Sequence, residues 1–458
     1  MAGLARTAFG LAFIWLLGAL LLSALGLRAR RWPLGYAQPA LDFAVGAAVL
    51  ATVWTLAALV GWRVAPELIY LLAAALAIPA GLLAAGPFRG SRPEPEEAPT
   101  SNGRTASLAL VAAALLLLVL VGGAAHAYAT GMFWDGRYIW AFKAKAMFAD
   151  GTLDREAFSN LARYRYTHVD YPLAVPAAQA WLYQVMGQVD ERRAKLVGIV
   201  CWAGIAAVLA CYLRRWMTLP WALGVTLLTC QIPVLAYHAG GGGADVPQAL
   251  YFLGGGLLLA DWAERRRPAD AALSMVMFGA GSLVKPEGLS MAIGAALVFA
   301  ITCLPRDRAP RPRLLAAAAS ALLLAHLPWA LLRARWAIPS PQLTRMHLRP
   351  LPELAERLGA IAASLFRHAL TWPAWELSWV FVALGLLAWV AWARGRAALA
   401  VLWGLLVWQL AIYVAIYATS PYDITWHIST SLDRLLIHLA PLAMAAAACS
   451  LAEAAPRA

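Results

Sequence analysis

The sequence is poor in charge. Of its 458 residues, 13% are Asp, Glu, Lys or Arg, about half the share in a soluble chain of ordinary composition. That shortage excludes a large solvated surface and, with it, a soluble domain of substantial size. Cysteine is scarce too. Cys201, Cys211, Cys230, Cys303 and Cys449 all lie inside apolar runs, and none is paired at metal-ligand spacing. They read as small packing residues and leave the redox compartment open. Acids are outnumbered by bases, for a formal net charge of +13. No basic soluble segment interleaved with aromatics accompanies that excess, so no nucleic-acid partner is expected. The excess reads as orientation signals and as attraction to anionic membrane lipids. Strict apolar–polar alternation is also missing, which excludes a transmembrane barrel.

What is abundant is apolar length: 62% of the residues are hydrophobic. Runs of about 18 to 23 apolar residues recur, each enough to cross a roughly 30 Å hydrocarbon core as a helix. Spans are expected at 8–27, 42–62, 67–87, 107–128, 194–213, 217–237, 247–263, 270–284, 288–304, 314–332, 377–393, 397–418 and 434–452. The expected fold class is therefore an all-α polytopic membrane protein with about 13 spans. The stretch 172–187 is shorter and reads as a re-entrant or interfacial helix. The first run is long for a secretory signal and lacks a small-x-small cleavage site. Arg28, Arg30 and Arg31 follow it, so it reads as a retained span.

Short loops set the expected orientation. Arg28/Arg30/Arg31, Arg89/Arg92/Arg104, Arg214/Arg215, Arg265/Arg266/Arg267, Arg306/Arg308/Arg311/Arg313 and Arg394/Arg396 fall on one side, which the positive-inside rule makes cytoplasmic. Two long loops, 129–193 and 334–376, then face outward. The polar segment from Arg89 to Arg104 reads as a cytoplasmic linker. It divides the chain into three N-terminal spans plus linker (1–104) and a core (105–458). The first part carries little polarity at its outer ends beyond Arg63 and Glu67. It is expected to pack peripherally and to supply no catalytic side chain.

Chemistry concentrates on the outer side. The first loop carries Asp135, then an amphipathic stretch with Lys143 and Lys145 suited to a surface helix, and ends in His168-Val169-Asp170-Tyr171-Pro172. The next outer turn is Gly240-Gly241-Gly242-Gly243-Ala244-Asp245, and the one after it Lys285-Pro286-Glu287-Gly288. A charged pair between two membrane helices is expensive and marks a functional candidate. At the last span His427, Ser431, Arg434 and His438 recur at spacings that share one helical face. Several acids and bases on one side suit a substrate with a phosphate and an oxygen nucleophile that must lose a proton.

Five segments together resemble the GT-C glycosyltransferases, multi-spanning enzymes that use polyprenyl-phosphate sugars: WDGRYIWAFKAKAMFADGTL, DYPLAVPAAQAWLY, GADVPQAL, LVKPEGL and SLDRLLIHLAPLA. The likeness covers about 105–452 and is nearest to bacterial members similar to the family 39 and lipid A aminoarabinose transferase group. It implies a GT-C-type core in a bacterial inner membrane, with the active site outward. It implies a sugar moved from a polyprenyl monophosphate to a hydroxyl on a lipid, glycan or protein acceptor. Asp135 matches the general base; Lys285 and Arg434 match the groups near the donor phosphate. Asp170, Tyr171, Asp245, Glu287, His427 and Lys143 complete the substrate-facing set. A divalent cation stays open, with Asp170, Asp245 and His427 as candidate ligands; no other cofactor is implied. Gly136 stands where some relatives carry a second acid, and Tyr171 where some carry a base. The rivals are an O-antigen-ligase-like enzyme using a polyprenyl diphosphate, and a transporter or flippase of a lipid-linked sugar.

Overall fold

The computed structural model describes residues 2–28, 37–85, 103–153, 156, 158, 160–303, 312–340, 345–393 and 395–455. The expected linker around 89–102 lies outside these residues, as do Arg30, Arg31, Arg306, Arg308, Arg311 and Arg394. The described chain is helical, without strands. Four helices open it: α1 (Ala2–Ala24), α2 (Gln38–Val60), α3 (Pro66–Ala85) and α4 (Gly103–Ala129). The first loop holds α5 (Phe142–Asp150) and α6 (Ala174–Met186). Then come α7 (Leu196–Leu213), α8 (Leu219–Cys230), α9 (Pro233–Ala239), α10 (Asp245–Arg265), α11 (Pro268–Gly281), α12 (Pro286–Cys303) and α13 (Pro312–Trp336). The chain closes with α14 (Leu351–Ala369), α15 (Ser378–Ala388), α16 (Ala397–Thr419) and α17 (Ile424–Ala454).

Seven of the described helices are long and apolar enough to cross a membrane, or eight if a bent pair counts as one. That is fewer than the expected spans. The pair is α8 and α9, which meet at 70°. Pro233 opens α9 and offers no N–H, and it forces Ile232 out of the helical region, to φ −50 and ψ 116. Helix α11 is only 14 residues long. Helix α15 gives way to a π turn over Trp389–Ala393. The stretch expected to be re-entrant or interfacial is α6, 13 residues long and buried along most of its length.

The expected periphery of the N-terminal helices holds only in part. Helix α3 is largely exposed, whereas α2 is embedded. It packs on α1, α6, α7, α10, α11 and α13, and Ala44 O accepts the Tyr251 hydroxyl of α10 at 2.5 Å. Leu41, Leu50 and Trp54 of α2 are fully buried. Polarity at span ends predicts where chemistry sits. It says nothing about packing, because helices in lipid associate through shape and small residues rather than through hydrophobicity.

Charge segregates to the two ends of the bundle. Helix α10 is roughly 30 Å long at a rise of about 1.5 Å per residue and carries Asp245 at its start and Asp261 and Glu264 near its end. Around the far end Arg215 pairs with Asp261, and Arg396 reaches Glu453 at 3.0 Å and Glu264 at 3.9 Å. The near end holds the remaining polar candidates. Helix α14 lies there, its buried Arg357 donating to Tyr422 O at 2.8 Å, ahead of α17.

Candidate functional site

The site is built on close backbone approach. The tetraglycine turn between α9 and α10 presents the Gly241 carbonyl, which accepts the Phe133 N–H at 3.1 Å. Gly136, one residue past Asp135, lies against the same carbonyl: a Cβ there would stand 2.1 Å from the Gly241 oxygen. A second acid at this position is sterically excluded. Gly242 takes φ +79, a left-handed conformation that side chains disfavour, and Gln179 of α6 donates to its carbonyl at 3.2 Å. Residues Gly136–Ala141 form a π turn, a geometry that recurs at functional sites.

Asp135 is thereby held at the bundle end, where Arg434 Nη1 lies 2.5 Å from its Oδ2. The Arg434 Nε reaches Asp245 Oδ2 at 3.2 Å. Asp245 is almost fully buried and its other oxygen, Oδ1, accepts from Lys285 Nζ at 2.7 Å and His438 Nε2 at 3.1 Å. A carboxylate oxygen can only accept, so Nε2 carries the proton offered to Asp245, while Nδ1 meets the Tyr413 hydroxyl at 2.9 Å. Lys285 Nζ also stands 3.6 Å from Glu287 Oε1. Asp135, Arg434, Asp245, Lys285 and Glu287 thus form one continuous chain of alternating charge. A buried carboxylate is tolerable only when compensated in this way.

The other expected residues take separate positions. Asp170 accepts the Ser340 hydroxyl at 2.7 Å. Burial raises the Tyr171 pKa well above the usual phenol value, the nearby carboxylates of Glu287, Asp170 and Asp135 adding to the rise and the Arg434 guanidinium opposing it. Lys143 is buried and turned inward, donating to His168 O at 2.6 Å and Tyr171 O at 3.0 Å. Burial lowers its pKa to about 7, with Asp170 opposing the shift. It fastens the loop that carries His168, whose φ of 44 is unusual for a non-glycine residue. His427 sits among Tyr417, Tyr422 and Trp426 and bonds Ser420 at 2.8 Å through Nδ1. Lys145 pairs with Glu191 at 2.5 Å.

Asp170, Asp245 and His427 do not form a ligand set. Among the described residues no group of three His, Cys, Asp or Glu side chains is disposed to hold a metal. Both Asp245 oxygens already face cationic or proton-donating groups, surroundings that do not fit a divalent cation.

Sequence reasoning missed Tyr413, Tyr417 and Trp140. Tyr413 and Tyr417 are one turn apart on α16 and meet His438 and Ser431 of α17, at 2.9 Å and 2.8 Å. Their spacing was the signal, but in an apolar span it also fits ordinary core aromatics. Trp140 Nε1 and Glu287 Oε2 are buried with no hydrogen-bond partner among the described residues. Compared with protein-family models, with curated proteins and with solved structures, the chain gives no match.

Proposed function

We propose that the chain is a membrane glycosyltransferase of the GT-C type, moving a sugar from a polyprenyl monophosphate to a hydroxyl acceptor at the outer face of a bacterial inner membrane. On this reading the broken and short helices complete a core of about 13 crossings. The observation that carries the proposal is the bridging Arg434, shared between the half-exposed Asp135 and the buried Asp245. A guanidinium remains charged and offers a planar fork of donors, which suits a phosphate. Asp245 fixes Nε, and Nη1 meets the more exposed Asp135.

The reaction follows from these positions. The donor phosphate takes the place of Asp135 at Nη1, and the carboxylate so released accepts the proton of the acceptor hydroxyl. The acceptor oxygen bonds to the anomeric carbon from the face opposite the phosphate. The carbon–phosphate oxygen bond breaks with its electron pair going to the phosphate, and the configuration inverts. Arg434, with Lys285 behind it, stabilises the negative charge that grows there, a contribution of about 3 kcal/mol per well-placed donor. No step is routed through a metal.

The test uses the full chain in nanodiscs with polyprenyl-monophosphate sugars and a mixture of envelope acceptors. Transfer from the monophosphate supports the reading. Transfer only from a diphosphate donor, or movement of the lipid across the bilayer without transfer, would overturn it.

A further inference from the structure

We infer that the acceptor is a carbohydrate, received on an aromatic platform that flanks Asp135. This rests on the transferase reading above and names the substrate class for that site. Trp134, Tyr138 and Tyr166 are each about half exposed. The Trp134 ring lies 5.1 Å from Tyr138 and 6.5 Å from Tyr166, the latter at 89°. Three large, half-exposed rings therefore gather on the segments that carry Asp135 and His168.

Exposed aromatics on a membrane protein usually belong to its interfacial belt. The neighbours of these rings argue otherwise. Arg137 and Lys145 rise from the same loop and pair with Glu191 at 3.2 Å and 2.5 Å. Arg137 is about half exposed and Lys145 slightly less. Such charges require water rather than hydrocarbon, so the loop that carries Trp134 and Tyr138 reaches a wet environment. An apolar patch kept open to water and rimmed by charge marks a binding surface.

The chemistry of the patch selects the ligand. One face of a pyranose is a sheet of C–H bonds with partial positive charge, and it settles on the negative face of an aromatic ring. Its edge carries hydroxyls. A sugar stacked on Trp134 presents one of them to the next side chain, Asp135, the proposed base. A peptide or a lipid tail would use the rings but has no reason to meet the carboxylate and Arg137 with hydroxyls on a flat ring.

The experiment is saturation-transfer NMR on the full chain in phosphatidylcholine nanodiscs, with neutral di- and trisaccharides as free probes. The wild type is expected to transfer saturation to ring C–H protons. Trp134→Ala should weaken the binding roughly fivefold, the factor for a stacking contact of about 1 kcal/mol, and Trp134→Phe should retain it. Tyr166→Ala, on a loop remote in sequence, gives an independent reduction should Trp134→Ala fail to fold. No transfer from any saccharide in the wild type, or transfer unchanged in both alanine variants, overturns the proposal. A separate titration with polyprenyl monophosphate keeps the two ideas apart. Binding that depends on Arg434 preserves the transferase reading whatever the saccharides do.

Discussion

Arg434 Nη1 stands 2.5 Å from Asp135 Oδ2, so the proposed phosphate binder and the proposed base occupy each other. Donor binding must part them, and the base is then free only when the donor is present. Asp135→Asn is expected to lower turnover by roughly 10²- to 10⁴-fold while lipid-phosphate affinity holds or tightens, since a competing charge is gone. Arg434→Ala should lose that affinity. Parallel measurements of turnover and of polyprenyl-phosphate binding decide it. Weaker phosphate binding in Asp135→Asn would count against the exchange.

Asp245 should matter for stability before it matters for turnover. It neutralises Lys285 and Arg434 in a nearly dry position. Asp245→Ala removes the carboxylate that the two cations share, leaving buried Lys285 with Glu287 alone at 3.6 Å and Arg434 with Asp135 alone, at a cost of up to about 3 kcal/mol. Combining it with Lys285→Met should restore part of the loss. Thermal unfolding in detergent reads both, and additive losses in the double variant would show that the pair does not act as a unit.

Gly136→Ala is a test of the close approach. The new methyl meets the Gly241 carbonyl at 2.1 Å, so the π turn and the glycine turn must separate. We expect a lowered unfolding temperature together with a disturbed Asp135. A variant as stable and as active as the wild type would refute this contact.

Lys143 gives the near end of the bundle a pH dependence of known sign. Its pKa falls from 10.5 in the unfolded chain to about 7 in the buried site. Between these values the unfolded state holds more protons, so stability rises with pH across that window and is lost as pH falls through about 7. Lys143→Met removes this slope. Unfolding temperatures of the two proteins from pH 6 to pH 9 should diverge accordingly, and parallel curves would show that the amine stays charged.

Removal of 1–102 should prevent folding rather than trim a periphery. The buried face of α2 meets six helices, and Gln184 of α6 donates to Val64 O at 2.7 Å just past α2. A chain beginning at Gly103 that is monodisperse and melts cooperatively would contradict this.

Much was legible in the linear order. Apolar length alone decided that the chain is helical and meets a membrane, because only closed backbone hydrogen bonding survives in lipid. The candidates Asp135, Asp245, Lys285, Glu287 and Arg434 were visible because charge at span ends is costly and therefore conspicuous. The tertiary structure decided which of them touch. Nothing in the spacing of Arg434 says that its guanidinium divides between two acids more than 180 residues upstream of it. Nor does it say that Lys143 turns inward to hold carbonyls while Asp135 stays near the surface. The place of α2 was equally hidden, since every face of an apolar helix reads alike in lipid. Composition sorts residues by the solvent they tolerate. Partnership among buried charges depends on which backbones approach closely enough, and here glycines at Gly136 and Gly241 settle that only once the chain has folded.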